Sequence, residues 1–318
     1  MRPSVRDTSS ETDRPAFAAA QQICRRHARS FYFSSFFLPR PKREAAYAVY
    51  SFCRMIDDAI DVPSEGTDCS SDTLEGRFQM LRDRLDEIYE GRMELPRAEF
   101  RSEEQHALRA FELTVRKYEI PRQYFLDVAE GCRMDLTVSR YPTWASLEKY
   151  CYHVAGVVGL IMSCVFGLQH SEAGKQAVMM GNAMQLTNIL RDVKEDWDRG
   201  RIYLPLEDMV KFKYPQADLA AGVVNESFRE LMKFEIARAR TLYQEASDGL
   251  MWLADDGSRL TASTMAVVYA GILDAIEAQK YDVYSRRARL GFARKLRRLP
   301  MAYRLARRRA DDPVPQVF

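Results

Sequence analysis

Long segments with apolar residues three and four positions apart constrain the fold of this chain most. Such spacing places apolar side chains on one face of a helix, and no run of alternating apolar and polar residues indicates a strand. Gly and Pro, 15 and 13 of the 318 residues, are also fewer than in an average chain. The sequence therefore predicts an all-α protein. The predicted helices cover about residues 16–32, 42–60, 74–90, 103–118, 121–136, 144–168, 172–193, 225–253 and 260–290, with loops at 62–72 and 198–215.

No linker divides these segments, so we expect one domain. The expected organisation is a disordered leader over residues 1–14, a single all-α domain over 15–310 and a flexible tail over 311–318. The first residues are polar and do not resemble a signal peptide. The six cysteines contain no C-x-x-C pair, which argues against a zinc ribbon or a thioredoxin-like site. A reducing cytoplasm is the expected location.

Charge and hydropathy exclude two further classes. The net charge is +2, so no global excess of positive charge points to nucleic acid as a partner. The stretch from Tyr150 to Ser171 contains no Asp, Glu, Lys or Arg and is long enough to span a bilayer. Because it also contains His153, Gln169, His170 and several glycines, we interpret it as a buried core helix.

A polar stripe interrupts the predicted helix around residue 50. Tyr50, Arg54, Asp57 and Asp61 are spaced four, three and four residues apart and therefore share one helix face. Carboxylates one turn apart can share a hard cation, and Mg²⁺ is usually bound by a few carboxylates together with substrate phosphates. A solvated helix end with ordinary surface acids is the alternative for this D-D-x-x-D motif alone.

A second polar stripe favours a metal site over a solvated helix end. Asn188, Asp192 and Asp196 are spaced four and four, Gln185 precedes them on the same side, and Arg191 is suited to a bidentate contact with phosphate. A salt-bridged helix surface is the alternative for this segment alone. Two such stripes, each with an arginine and each in an apolar helix, favour a site for a divalent cation and a diphosphate.

Together these motifs resemble the squalene/phytoene synthase family of head-to-head prenyl diphosphate synthases, over about His27–Arg287. The resemblance extends to the segment at 27–31, the helix at 150–159, the segment at 200–205, and Tyr269 with Arg286. It implies an isoprenoid synthase-type helical bundle around an apolar cavity, with the two stripes facing each other at its opening. It also implies Mg²⁺, with Mn²⁺ as a substitute, and two prenyl diphosphates as substrates.

The resemblance implies roles for individual residues. The expected metal ligands are Asp57, Asp61, Asn188, Asp192 and Asp196. The expected catalytic residues are Asp57, Asp61, Asp192 and Asp196 together with Tyr50, Tyr150 and Tyr269. The expected substrate contacts are His27, Arg29, Ser30, Phe31, Ser35, Tyr50, Arg54, Gln185, Arg191, Tyr269 and Arg286.

The length of the substrate chain depends on the size of the cavity. His27, Phe31 and Ser35 are spaced four and four, so a cavity lined by Phe31 is expected to reach Ser35, whose small side chain leaves room for a long chain. The bulky Tyr47 favours a shorter one. We therefore expect condensation of two geranylgeranyl diphosphates, through a cyclopropyl diphosphate, to phytoene. The alternatives are the same chemistry on farnesyl diphosphate, giving presqualene diphosphate, squalene or dehydrosqualene, and a non-catalytic relative that acts as an interaction protein.

Two expectations concern reductant and location. The chain has no G-x-G-x-x-G after a strand, so we expect no NADPH requirement, although family members that use NADPH also lack this motif. Residues 286–309 contain many arginines, one lysine and no acid. Apolar residues among these arginines suit either a final helix that caps the bundle or peripheral contact with the inner face of the membrane.

Overall fold

A computed structural model describes residues 13–61, 71–97, 101–170, 173–308 and 318, with only the backbone described at 59–61 and 71–74. The described residues form helices and no strand, apart from two isolated bridges that pair Arg140 with Ile202 and Leu168 with Leu253. The all-α prediction is confirmed. The α-helices are α1 (Arg14–His27), α2 (Arg29–Ser34), α3 (Arg40–Asp61), α4 (Ser71–Glu90), α5 (Glu103–Lys117), α6 (Arg122–Thr137), α7 (Trp144–Cys151), α8 (Val157–Phe166), α9 (Ala173–Arg191), α10 (Val193–Asp198), α11 (Leu206–Lys211), α12 (Gln216–Ala220), α13 (Glu226–Ala246), α14 (Ser258–Ala278), α15 (Phe292–Arg297) and α16 (Leu299–Ala306).

The helices pack around two apolar clusters. One is formed mainly by α1, α3, α5, α6 and α8, and the other mainly by α7, α9, α13 and α14. Met180 of α9 packs against both clusters, and α9 contacts α8, α13 and α14. Asn188, the first residue of the second stripe, is therefore on a helix at the centre of the molecule, while Asp192 lies between α9 and α10 and Asp196 lies on α10.

A π-helical segment, Tyr152–Gly156, joins α7 to α8 without a break. Such segments are rare and occur frequently at functional sites. The backbones of this region and α9 approach each other closely, because a Cβ at Gly159 would lie 2.2 Å from the Ala177 carbonyl oxygen. A Cβ at Gly181 would likewise lie 2.2 Å from the Ala155 carbonyl oxygen. Glycine is thus required at both positions by the close crossing of the helices.

Three predicted boundaries differ from the structure. The helix predicted over 16–32 is interrupted at Ala28, whose φ of −127° and ψ of 59° are not helical. The helix predicted over 260–290 ends at Ala278, and Lys280 and Tyr281 adopt left-handed φ values of 55° and 64°. The predicted loop over 198–215 contains α11. Residues 1–12, 62–70 and 309–317 lie outside the described residues, so the predicted leader, most of the first loop and most of the predicted tail stay predictions.

Two helical segments are long and apolar enough to cross a membrane by length and composition, Trp144–Phe166 and Ser258–Ala278. In their most apolar windows, 50% and 67% of the residues are buried inside the protein. Core helices meet the same criterion, so it is weak evidence for a span. Val157, Ile161 and Val165 are completely buried, as expected for a core helix.

Candidate active site

A cavity of about 290 Å³ lies between α2, α3, α8, α9 and α14. On α9 its lining residues recur every three or four positions from Ala173 to Asn188, because one face of a helix repeats with that period. Most of the lining is apolar. The polar lining residues at one end, which we call the polar end, are Tyr50, Cys53, Gln185, Asn188 and Tyr269.

Both acid-bearing helices contribute to the polar end. Cys53 lies one turn before Asp57 on α3, and Asn188 lies one turn before Asp192 at the end of α9. The two helices therefore line one cavity, and Tyr269 lies within electrostatic reach of both Tyr50 on α3 and Arg191 on α9. Sequence periodicity predicts each face separately, and only the fold brings both helices to the same cavity.

The first stripe contains two differently placed carboxylates. Asp57 is partly buried and its Oδ1 accepts a hydrogen bond from Cys132 Sγ at 3.0 Å. Burial, followed by the Asp57 charge, raises the pKa of the Cys132 thiol, which therefore stays protonated and donates. Asp58 is exposed and accepts from Arg54 Nε at 3.1 Å. The side chain of Asp61, the last residue of α3, lies outside the described residues.

Asp192 is held between two guanidinium groups. Arg191 donates through Nε and Nη2 at 2.7 and 2.5 Å, and Arg287 donates through Nε and Nη2 at 2.8 and 2.7 Å. Burial by itself would raise the pKa of Asp192, but these hydrogen bonds outweigh it, so the pKa is lowered. The family resemblance indicated Arg286 in place of Arg287. Arg286 is exposed, and its carbonyl oxygen accepts a hydrogen bond from Gln279 Nε2 at 3.4 Å.

Asp196 is the last residue of the second stripe, and its pKa is shifted in the opposite direction from that of Asp192. Burial, followed by the charge of the neighbouring Asp192, raises the pKa of Asp196 to about 7, against the opposing effect of Arg199 and Arg201. A bound cation would favour the ionised form of such a carboxyl group. Asn188 Nδ2 donates to Gln185 Oε1 at 3.3 Å at the polar end.

The donor atoms near the polar end suit a hard cation. Within the described residues, no three His, Cys, Asp or Glu side chains form a preassembled metal cage. Mg²⁺ needs none, because it is usually bound by one or two carboxylates plus water and substrate phosphates. The carboxylates of Asp57, Asp192 and Asp196 and the amide oxygen of Asn188 have the required chemistry.

The three expected catalytic tyrosines are not equivalent. Tyr50 and Tyr269 line the cavity, and burial raises the pKa of each. Tyr150 is only 3% exposed and is not among the lining residues. Its ring stacks on Tyr203 with centroids 5.0 Å apart, and Tyr203 donates to Asp135 Oδ1 at 2.6 Å. No sequence pattern indicated Asp135, while Tyr203 lies in the segment 200–205 that carries part of the family resemblance.

The segment around residue 30 differs from its prediction. Phe31 lines the cavity, whereas His27 and Arg29 are exposed. Ser30 Oγ accepts a hydrogen bond from Lys295 Nζ at 2.9 Å. Because the helix breaks at Ala28, these residues do not form one continuous helical face.

Ser35 is not among the residues that line the cavity. It follows the last residue of α2 and keeps helical backbone angles, with its N–H donating to the Phe31 carbonyl oxygen. Its buried hydroxyl donates to the Tyr32 carbonyl oxygen at 2.7 Å and lies 2.8 Å from Tyr47 Oη. Ser35 and Tyr47 thus bond to each other.

Comparison with known proteins extends these observations. The model of the squalene/phytoene synthase family matches residues 24–294. The chain is 38% identical over 300 residues to 15-cis-phytoene synthase of Synechocystis sp., covering 91% of this chain and 84% of that protein. It is 36% identical over 322 residues to phytoene synthase of Arthrospira platensis, covering 96% and 97%.

Solved structures agree with the fold. A dehydrosqualene synthase in complex with ligand has 29% identity and a TM-score of 0.80, covering 92% of this chain and 96% of that one. Squalene synthase HpnC from Alicyclobacillus acidocaldarius has 26% identity and a TM-score of 0.73, covering 85% and 96%.

Proposed function

The chain belongs to the squalene/phytoene synthase family, and from this premise we propose that it condenses two C20 prenyl diphosphates head to head to phytoene. The observation on which this rests most is that α3 and α9, the helices that lead into the two acid motifs, line one apolar cavity. The relatives named phytoene synthase, at 36–38% identity over most of the chain, support the C20 substrate and the C40 product.

The reaction has two ionisations. In the first, one prenyl diphosphate loses diphosphate, the allylic carbon bonds to the double bond of the other chain, and a proton is lost to give a cyclopropyl diphosphate. In the second, that intermediate loses its diphosphate, rearranges and loses a proton to give the hydrocarbon. Each ionisation separates charge, so the site must bind diphosphate at one end and exclude water along the chain.

The basic residues suit the diphosphate end. Arg191 and Arg287 already hold their guanidinium groups against Asp192, so a diphosphate at the polar end meets oriented donors. Among the described residues, Arg54 forms its ion pair with the exposed Asp58 on its own helix, and this surface pair is weak and easily exchanged for phosphate. Tyr50 and Tyr269 present ring faces and hydroxyls to the cavity, which suits the cationic intermediates.

Mg²⁺ is the proposed cofactor, held by Asp57, Asp61, Asn188, Asp192 and Asp196. When bound, it neutralises the charge of the departing diphosphate. The support is the oxygen-only donor set near the polar end. The electrostatic environment of Asp196 agrees, since a nearby cation would stabilise the ionised form of a carboxyl group whose pKa is raised to about 7.

The second candidate is the same chemistry on C15 chains. The specific observation in its favour is the structural similarity to a dehydrosqualene synthase, with a TM-score of 0.80. A non-catalytic interaction protein is the third candidate, and the presence of the charged groups at the polar end argues against it.

Product assays on the purified protein distinguish these three candidate functions. It is incubated with Mg²⁺ and either C15 or C20 diphosphate, with and without NADPH, and the products are identified by mass spectrometry. We expect a C40 hydrocarbon from C20 diphosphate that needs Mg²⁺ and is unaffected by NADPH. A preference for C15 would contradict the proposed substrate, and no product from either would contradict catalysis.

Peripheral contact with the cytoplasmic face of a membrane completes the proposal. Phe292, Leu296 and Tyr303 on α15 and α16 are 67%, 43% and 53% exposed among basic residues, which suits an anionic lipid surface. Sedimentation with anionic and neutral vesicles tests this contact. Phe292→Ser should reduce binding to anionic vesicles, whereas Met80→Ser, which changes an equally exposed apolar residue on α4, should not.

A further inference from the structure

Cys132 on α6 bonds to the first acid stripe from a neighbouring helix. Its Sγ donates to Asp57 Oδ1 at 3.0 Å, and the two residues lie 75 positions apart in the sequence. Cys132 is 6% exposed and lies within electrostatic reach of Cys53, which lines the cavity one turn before Asp57. The thiol therefore contacts the stripe next to the polar end of the cavity.

Packing of α6 against two neighbours holds this donor in place. Phe125 on α6 meets Phe52 on α3 edge to face, with ring centroids 5.5 Å apart. Gly131, the residue before Cys132, approaches the π-helical segment so closely that an added Cβ would lie 2.7 Å from Val154 Cγ1. Because a close-packed interior leaves a side chain little freedom to move, the thiol approaches Asp57 in a well-defined geometry.

The same region of α6 also lies near the second stripe. Asp135 follows Cys132 by three residues, so both lie on one face of α6. Asp135 is within electrostatic reach of Asp196. Just after α6, the Ser139 carbonyl oxygen accepts a hydrogen bond from Ile202 N at 2.9 Å. One face of α6 therefore lies beside residues of both stripes, which places Cys132 at the side of the proposed metal site.

A hydrogen bond to one carboxylate oxygen sets the plane in which the carboxylate can bind a cation. Carboxylates that bind metal ions are usually hydrogen-bonded to such outer partners, and removing the partner typically lowers metal affinity or activity by about 10–100-fold. A thiol is a weak donor, so we expect an effect at the lower end of this range. The thiol bonds to the carboxylate and would act on a cation only through Asp57.

We infer that Cys132 is a positioning residue that holds the Asp57 carboxylate in the orientation that binds Mg²⁺, an inference that rests on the proposed function. Without the thiol donor, binding must first select one of several carboxylate orientations, and this cost lowers the affinity for the cation. In the metal-loaded site Asp57 is fixed by coordination, so its geometry no longer depends on the thiol. Loss of the donor should therefore raise the requirement for Mg²⁺ and leave kcat at saturating Mg²⁺ nearly unchanged.

Two substitutions at this position distinguish a hydrogen-bond donor from a packing residue. Cys132→Ala removes the donor, whereas Cys132→Ser keeps one. The turnover rate at saturating C20 diphosphate is measured over a range of Mg²⁺ concentrations for each protein. We expect Cys132→Ala to raise the half-saturating Mg²⁺ concentration by about ten-fold, and Cys132→Ser to stay close to wild type.

A second buried cysteine provides a matched control. Cys151 on α7 is completely buried and is not among the residues that line the cavity, so Cys151→Ala makes the same chemical change elsewhere in the core. Its Mg²⁺ dependence should equal that of wild type. Thermal unfolding of each variant separates a loss of folding from a change in metal affinity. If Cys132→Ala fails to fold, Cys132→Val, which fills the space without a donor, takes its place.

Metal binding without turnover separates this inference from the proposed function. Electron paramagnetic resonance measures the affinity for Mn²⁺ in the presence of a C20 prenyl thiodiphosphate, which resists ionisation. We expect Cys132→Ala to bind Mn²⁺ about ten-fold more weakly than wild type. A wild-type protein that makes no product from C20 diphosphate overturns the proposed function, while the Mn²⁺ series still decides the role of Cys132. Equal Mn²⁺ affinities in wild type and Cys132→Ala, or a loss in Cys132→Ser as large as that in Cys132→Ala, overturn the inference.

Discussion

Arg287 donates two hydrogen bonds to Asp192, Nε to Oδ1 at 2.8 Å and Nη2 to Oδ2 at 2.7 Å. The two residues lie 95 positions apart in the sequence. The contact joins the loop after α14 to the start of α10 and leaves the Asp192 carboxylate bonded to two guanidinium groups. It therefore positions two cationic side chains where a diphosphate is proposed to bind.

Removing Arg287 should impair turnover more than removing a neighbouring arginine. Arg287→Ala deletes a bidentate, charge-assisted pair, so we expect kcat/KM to fall by about ten- to a hundred-fold. The matched control is Arg289→Ala, which removes an exposed arginine two residues further on. Steady-state kinetics measures kcat/KM for both variants. Equal decreases in kcat/KM would contradict a specific role for Arg287.

The same pair should protect Asp192 against acid. Its pKa is lowered in the folded state, so its contribution to stability is present above its unfolded pKa of about 3.9 and is lost as pH falls through the lower folded value. Arg287→Ala weakens this effect. Acid unfolding followed by circular dichroism should begin at a higher pH in Arg287→Ala than in Arg289→Ala.

Asp196 should have the opposite effect on stability. Its folded pKa of about 7 lies above the unfolded value, so the folded state binds an extra proton between these two values. In metal-free protein, stability should therefore fall as pH rises from about 4 to about 7. Denaturant unfolding in EDTA at pH 5 and pH 8 measures the decline.

Asp196→Asn should make that decline smaller. It should not remove it, because burial also raises the pKa of Glu235 to about 8 and this group acts in the same direction. An unchanged difference between pH 5 and pH 8 would show that Asp196 does not titrate in this range.

Substitution of Asp57 should lower activity far more than substitution of the adjacent Asp58. Asp57 is partly buried beside the cavity-lining turn of α3, while Asp58 is exposed and tied to Arg54. We expect Asp57→Asn to lower kcat by at least about a hundred-fold, since charge neutralisation at the leaving group is worth several kcal/mol. Asp58→Asn is the control, and equal losses in both would contradict the assignment.

Ser35→Phe should affect stability and leave chain-length preference unchanged. Ser35 is completely buried against Tyr47, so a phenyl ring overpacks the site and should destabilise the protein by about 1–3 kcal/mol. Ser35→Ala should destabilise the protein less than Ser35→Phe does. Denaturant unfolding measures both variants, and a changed C20/C15 preference in Ser35→Phe would show that this position reaches the cavity after all.

Glycines offer a test of the helix crossing. Gly159→Ala places a Cβ 2.2 Å from the Ala177 carbonyl oxygen, so we expect a loss of at least about 1–3 kcal/mol. Gly76 of α4 has nothing within 4 Å of its added Cβ, and Gly76→Ala should stabilise the protein by about 0.5–1 kcal/mol. We expect the two substitutions to change the free energy of unfolding in opposite directions. An unchanged free energy of unfolding in Gly159→Ala would contradict the close approach of Gly159 to Ala177.

The local pattern of the sequence determined much of this protein. Helical periodicity depends on neighbours three and four positions away, so it located most of the helices and placed Asn188 and Asp192 on one face. The same local rule located the D-D-x-x-D motif at the end of α3. Both are properties of single helices and need no knowledge of the rest of the chain.

Only the tertiary structure decided how those faces are used. Arg287, rather than Arg286, reaches Asp192 because α14 ends at Ala278 and the following loop sets the direction of each side chain. Ser35 bonds to Tyr47 because the 3₁₀ turn after α2 packs against α3. The depth of the cavity likewise depends on contacts between distant segments. Helix ends, loops and cavity walls are set by packing over the whole chain, and local spacing contains no information about it.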